Sequence, residues 1–311
     1  MLSMNVLRVL SCLLLLFQVA QTAVIPLRRY DSDDQDDLAN PGTESQTSEP
    51  SPSPTASSSS GGGDLAGSTE ILIPYYAYPA DGAWAPVEKL ATDNPNVKFV
   101  IIINPNNGPG ERTLPDENWR KAVPQLAAHS NVAILGYVAT GYGGRDMSAV
   151  QRDIETYANW PTVSSDASFA VHGIFLDEAP AESDDKKVAF YKQAASLVKG
   201  NKGFGSKNTV IMNPGAVPDS AYLDIPDSTV IFESSYSQLK EVLAAKEFNR
   251  VKTVNKARLS SIVTSVPTGT DLSALVAQLR GFTGQIYLSN SASYLEYPPA
   301  LDKMARILGS G

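Results

Sequence analysis

From Ile71 onward, short apolar runs alternate with longer segments in which apolar residues recur every third or fourth position. The runs are Ile71 to Tyr78, Phe99 to Asn104, Val132 to Ala139, Phe169 to Leu176, Thr209 to Met212, Thr229 to Glu233, Leu259 to Val266 and Gln285 to Ser289. Their lengths and their branched aliphatic and aromatic content predict eight strands. Between them, Val150, Ile154 and Tyr157, then Val188, Tyr191, Ala195 and Val198, then Leu239, Val242 and Leu243 fall at helical spacing. A strand that is apolar at consecutive positions is buried on both faces, as in a parallel sheet covered by helices. Eight such units in about 240 residues predict an α/β fold, a (β/α)8 TIM-type barrel forming a single domain over residues 71–311. The competing doubly wound open sheet carries a glycine-rich phosphate loop after its first strand. Here that position reads Pro74-Tyr75-Tyr76-Ala77-Tyr78-Pro79.

The predicted strands end in polar and aromatic residues, and in a barrel the C-terminal ends of all strands converge on one face. Tyr75 and Tyr76 follow the first strand, Asn104 ends the second, Tyr137 stands in the third, Asn213 follows the fifth, Tyr236 the sixth and Asn290 the eighth. These seven are candidate substrate-binding residues, because tyrosine faces and amides suit sugar rings and their hydroxyls. Packing alone is the plainer reading of any single tyrosine among them.

The fourth run, Gly173-Ile174-Phe175-Leu176, passes directly into Asp177, Glu178, Ala179 and Pro180, and the sixth run ends in Glu233. Carboxylates at strand C-termini are candidate catalytic groups. Strands two apart have backbones on the order of 10 Å apart, and inward-leaning side chains bring carboxyl groups to about 5 to 9 Å, the span used in glycoside hydrolysis. One acid then protonates the leaving oxygen while the other attacks the anomeric carbon or activates water. The alternative for each acid is an ion pair with a cation at the rim, such as Arg145.

The other residue types narrow the chemistry. There are two histidines, His129 at the end of a helical segment and His172 within the fourth run, so neither a metal centre nor a nucleophile–histidine triad is expected. Gly108-Pro109-Gly110 and Gly141-Tyr142-Gly143-Gly144 lack the lysine of a phosphate loop. No cofactor is expected.

Charge and composition divide the chain. Arg8 precedes an apolar run from Val9 to Ala20 and small or polar residues up to Ala23, the pattern of a secretory signal over residues 1–23, or else of an uncleaved membrane anchor. Cys12, the one cysteine, lies inside it, so the processed chain has no disulfide and no thiol chemistry. Residues 24–70 carry nine acidic and two basic side chains and a Ser/Thr/Pro tract from Thr43 to Ser60, which reads as a disordered, O-glycosylated stalk. There is no Asn-x-Ser/Thr sequon. Of the net charge of −8, the stalk carries most, which leaves the barrel near neutral and without the footprint of nucleic-acid binding. The expectation is a secreted, wall-associated monomer with no protein partner implied and a polysaccharide as its substrate.

Taken together, Pro74-Tyr75-Tyr76, Asn104-Pro105 with Gly108-Pro109-Gly110, Gly136-Tyr137-Val138, Gly173 to Pro180, Asn213-Pro214-Gly215 and Phe232-Glu233 resemble the motifs of the fungal spherulin-4 family, glycoside hydrolase family 135. Its characterised enzymes cleave galactosaminogalactan, an α-1,4-linked polymer of galactose and N-acetylgalactosamine. The resemblance implies a (β/α)8 barrel with endo-α-1,4-N-acetylgalactosaminidase activity, and it places the family's three acids on Asp177, Glu178 and Glu233. On these three acids we assign Asp177 as nucleophile, Glu233 as general acid/base and Glu178 as a third carboxylate that orients substrate or holds a partner's pKa. An adjacent Asp–Glu pair also occurs where the substrate's own acetamide attacks, but that route needs the acetamide trans to the leaving group, and an α-linked galactosamine presents it cis. A non-catalytic wall-binding or structural protein on the same barrel is the alternative function.

Overall fold

The structure, a computed structural model, describes residues 69–310. The expected signal, Cys12 and nearly all of the expected stalk lie outside the described residues. Eight strands occur in chain order: β1 (Glu70–Pro74), β2 (Phe99–Ile103), β3 (Val132–Ala139), β4 (Gly173–Asp177), β5 (Thr209–Met212), β6 (Ser228–Ser235), β7 (Leu259–Thr264) and β8 (Gln285–Leu288). Each pairs in parallel with the next, and β8 closes on β1 to complete the barrel. The outer helices are α1 (Ala85–Asp93), α2 (Glu117–Ala127), α3 (Met147–Val163), α4 (Asp185–Gly200), the single-turn α5 (Ser220–Leu223), α6 (Tyr236–Ala244), α7 (Leu272–Leu279) and α8 (Ala300–Gly309).

Local sequence explains where the helices begin. Asp116, Asp184, Asp219, Ser235 and Asp271 each accept a backbone N–H in the first turn of the helix that follows. A cap of this kind contributes about 1 kcal/mol. The helical stripes are buried as expected: Val150, Ile154 and Tyr157 of α3, and Tyr191, Ala195 and Val198 of α4, are shielded against the strands. Gly136 of β3 lets α3 approach closely, since a Cβ there would stand 2.8 Å from the Tyr157 ring.

Several strand boundaries differ from those expected. β1 stops at Pro74, so Tyr75 to Tyr78 form a loop. β4 starts at Gly173, and Phe169 is instead stacked on Trp160 of α3 at 4.6 Å, where burial beneath the helix explains why the run read as strand. Gly173 has φ +154, and a Cβ there would lie 2.0 Å from the Thr209 carbonyl oxygen, so the entry into β4 requires glycine. β6 runs on to Ser235 and carries an extra residue, Ile231, against β7.

At the opposite end from the carboxylates, Ser228, Ser260, Gln285 and Glu70 form a hydrogen-bonded chain across β6, β7, β8 and β1. Each of these four side chains thereby keeps a partner. His172 lies at this end too, accepting the Ile134 N–H through Nδ1 at 3.1 Å, with burial lowering its pKa. Among the described residues, no helix is long and apolar enough to cross a membrane, and no group of three or more His, Cys, Asp or Glu is arranged to hold a metal ion.

Candidate active site

Asp177 ends β4 and Glu233 lies near the end of β6, with β5 between them. Asn213, the residue after β5, joins the two: its Nδ2 donates to Asp177 Oδ1 at 2.7 Å and to Glu233 Oε2. Asn213 is itself fixed, with its Oδ1 accepting the Gly215 N–H and its backbone bonded to Leu176 and Ala179 across β4. On the far side, the Tyr294 hydroxyl donates to Glu233 Oε1 at 2.5 Å. Tyr294 comes from the loop after β8, and the Tyr76 N–H donates to its carbonyl at 2.9 Å.

Three tyrosines wall this pair. Tyr76 meets Tyr294 edge-on at 5.5 Å and Tyr137 edge-on at 5.6 Å, and the Tyr137 hydroxyl hydrogen-bonds to Asp177. Burial, then the charges of Asp177 and Glu233, raise the Tyr76 pKa well above its ordinary value, while burial and Glu233 do the same for Tyr294. Both therefore remain protonated donors at any pH the fold tolerates. Burial, followed by the Glu233 charge, pushes the Asp177 carboxyl up to about 7. Reduced hydration and the neighbouring carboxylate both disfavour the ionised form of Asp177, which is the direction of the shift.

No ion pair among the described residues involves Asp177, Glu178 or Glu233. Arg145, the rim cation weighed against them, pairs with the buried Asp153 at 2.6 Å and donates to the Ala139 carbonyl at 2.9 Å. It braces the end of β3 and leaves the acids without a countercharge.

Glu178 is held apart from the pair. It has φ +56, a left-handed conformation that costs a non-glycine residue on the order of 1 kcal/mol. Its carbonyl accepts from Thr140 Oγ1, Tyr191 and the Tyr142 N–H, and its carboxylate accepts the Gly141 N–H at 3.0 Å. Thr140 Oγ1 also donates to the Asp177 carbonyl at 2.6 Å, and its hydroxyl is bonded to that of Tyr191. The strained turn sends Asp177 into the barrel and Glu178 toward the loop after β3.

The remaining candidates divide. Tyr75 is corrected: its side chain is buried on the outer side of the barrel wall, where it donates to the Ala83 carbonyl at 2.8 Å and meets Trp84 edge-on. Adjacent residues of an extended chain face opposite ways, so with Tyr76 inward Tyr75 is outward. Asn104 accepts the Gly108 N–H and so shapes the loop after β2, and Asn290 donates to the Val266 carbonyl and ties the loops after β7 and β8. Tyr236 opens α6 with Lys240 over its ring at 5.3 Å, and none of its contacts reaches the acids. Tyr294, which does reach them, was not among the seven candidates, and five residues of loop separate it from β8.

The sequence profile of spherulation-specific family 4 matches residues 70–308. The chain belongs to spherulation-specific family 4. Spherulin-4 of Physarum polycephalum is 37% identical over 177 residues, which cover 57% of this chain and 48% of that one, so the chain spans about half the length of that curated relative. The crystal structure of Aspergillus clavatus Sph3 in complex with GalNAc superposes with a TM-score of 0.75 at 40% identity, covering 78% of this chain and 98% of Sph3. The matched profile spans the barrel from β1 to the last turn of α8, and with it Asp177, Glu178, Asn213 and Glu233.

Proposed function

We propose that this chain is a secreted glycoside hydrolase that cleaves α-1,4-linked N-acetylgalactosamine-containing polysaccharide, galactosaminogalactan, through the Asp177–Glu233 pair. The observation that carries the proposal is the Asn213 amide between the two acids. Its distances of 2.7 and 2.5 Å cap the separation of the facing carboxylate oxygens at about 5 Å. That is the spacing of retaining glycosidases; an inverting pair, which must admit a water between its members, stands about 6.5 to 9.5 Å apart. The similarity to Sph3, crystallised with GalNAc, supports the choice of sugar, and its barrel is of the glycoside-hydrolase type.

The reactive form is the one in which Asp177 is ionised and Glu233 carries a proton. Asp177 attacks the anomeric carbon as Glu233 protonates the departing glycosidic oxygen, and a glycosyl ester forms on Asp177. Glu233, now a carboxylate, takes a proton from the incoming water, which displaces Asp177 and restores the original anomeric configuration. Asn213 and Tyr294 hold the two acids in register, and Tyr76 and Tyr137 form the wall that shields the reacting bond from water. Glu178 acts at the rim through the loop after β3, which also separates this site from the acetamide-assisted arrangement.

The test is reducing-end release from galactosaminogalactan by the full chain beside Asp177→Asn and Glu233→Gln. Each variant is expected to lose at least ~10²-fold, the lower end of what one acid–base group contributes. Wild-type activity unaltered in both variants overturns the carboxylate mechanism, and a folded wild type that binds the polymer without cleaving it returns the choice to a wall-binding protein.

A further inference from the structure

Three large hydrophobic side chains are markedly exposed among the described residues: Tyr78 at 50%, Val163 at 47% and Leu295 at 45%. Val163 ends α3, at the end of the barrel away from the carboxylates. Tyr78 and Leu295 lie on the loops after β1 and β8, neighbouring strands, at the mouth that holds Asp177 and Glu233. The backbone bond from Tyr76 to Tyr294 joins these two loops, two positions before Tyr78 and one before Leu295.

Tyr78 is exposed but not loose. Its hydroxyl accepts from Asn118 Nδ2 at 3.0 Å, and its ring meets Trp119 edge-on at 6.3 Å and 80°. The loop beneath is pinned as Trp84 Nε1 donates to the Ala77 carbonyl at 3.0 Å and the Ala80 N–H to the Tyr78 carbonyl at 2.8 Å. The half-exposed ring is therefore held in a fixed orientation. Preordering an aromatic surface in this way lowers the entropy lost when a ligand settles on it. Tyr78 is two positions along the chain from Tyr76, a reach of at most about 7 Å, which corresponds to one or two units of a sugar chain.

We infer that the Tyr78 ring is the stacking platform of a second sugar subsite, one or two units along the polysaccharide from the Asp177–Glu233 pair, with Leu295 as its apolar edge. The inference rests on the hydrolase reading above and deepens it: a platform beyond the reacting bond favours long chains over short ones. Its test compares the full chain and Tyr78→Ala on long galactosaminogalactan and on the shortest oligomer cleaved, with retention on immobilised polymer as a separate arm. Tyr78→Ala is expected to raise KM on the polymer about tenfold, more than it alters kcat or the reaction of the shortest oligomer, and Tyr78→Trp to restore it. An unmoved polymer KM, or equal losses on polymer and oligomer, overturns the subsite. A wild type that releases no reducing ends overturns the hydrolase reading alone. The retention arm then decides the subsite, weaker retention of Tyr78→Ala supporting it and unchanged retention overturning it.

Discussion

Asp177 and Glu233 accept hydrogen bonds from the same nitrogen, Asn213 Nδ2. This shared donor sets how far apart the two carboxylates can stand, and the stereochemistry follows from it. The first product released from an α-linked polymer is expected to be the α-anomer, seen by proton NMR in the first moments of the reaction before mutarotation. A β-anomer would mean that water attacks directly, and that the pair opens by more than the Asn213 bridge allows.

On the proposed mechanism the two acids differ in role, and azide separates them. In Asp177→Ala, azide can occupy the vacated space and attack the anomeric carbon directly, so the rescued product is the β-azide. In Glu233→Ala, azide displaces Asp177 from the covalent intermediate and yields the α-azide. The reverse outcome would exchange the nucleophile and the acid.

Asn213→Ala removes a charged-group hydrogen bond from each acid. Bonds of that kind contribute about 1.5 to 3 kcal/mol, so kcat/KM is expected to fall about 10- to 100-fold. The Asn213 bond lowers the Asp177 pKa, and its loss moves the acid limb of the pH–rate profile, set by ionisation of the nucleophile, to higher pH. A simple loss of folded protein would lower the rate without moving that limb.

The raised pKa of Asp177 also makes a statement about stability. Between its ordinary value of 3.8 and about 7, the folded chain keeps a proton that the unfolded chain has released. Stability therefore falls as pH rises through that window, by up to about 4 kcal/mol from this group, and levels off above it. Asp177→Asn abolishes the term. Thermal melts at pH 5 and pH 8 are expected to show a smaller drop for the variant than for the wild type, with the variant the more stable of the two at pH 8 while catalytically impaired. Equal drops in both proteins would place the titration elsewhere.

Gly173→Ala should act on the fold alone. The new methyl meets the Thr209 carbonyl at 2.0 Å and the backbone has φ +154, so a loss of at least about 3 kcal/mol is expected in denaturant unfolding. A loss below about 1 kcal/mol would mean that the entry into β4 shifts without cost.

Much of this architecture is legible in the chain. Apolar runs such as Phe99 to Ile103 and Val132 to Ala139 are strands because both of their faces are buried, and burial on both faces writes itself into consecutive residues. The acids at Asp177 and Glu233 were legible for a related reason: the end of an apolar run is the end of a parallel strand, and all such ends meet on one face. Glu178 was legible as a candidate but not as a residue turned aside, because its left-handed backbone is imposed by Thr140 and Tyr191, 38 residues before it and 13 after.

The sequence by itself determined the order and direction of eight strands, the helices that cover them and the end at which the carboxylates lie, all of which follow from periodicity and burial over a few neighbouring residues. The tertiary structure alone decided that Tyr76 rather than Tyr75 faces the acids, that the extra residue at Ile231 shifts β6 against β7 just before Glu233, and that Tyr294 arrives from 61 residues away to hold that carboxylate. Those outcomes depend on register and closure around the whole barrel, where a displacement of one residue reverses the face a side chain presents, and no local pattern encodes that choice.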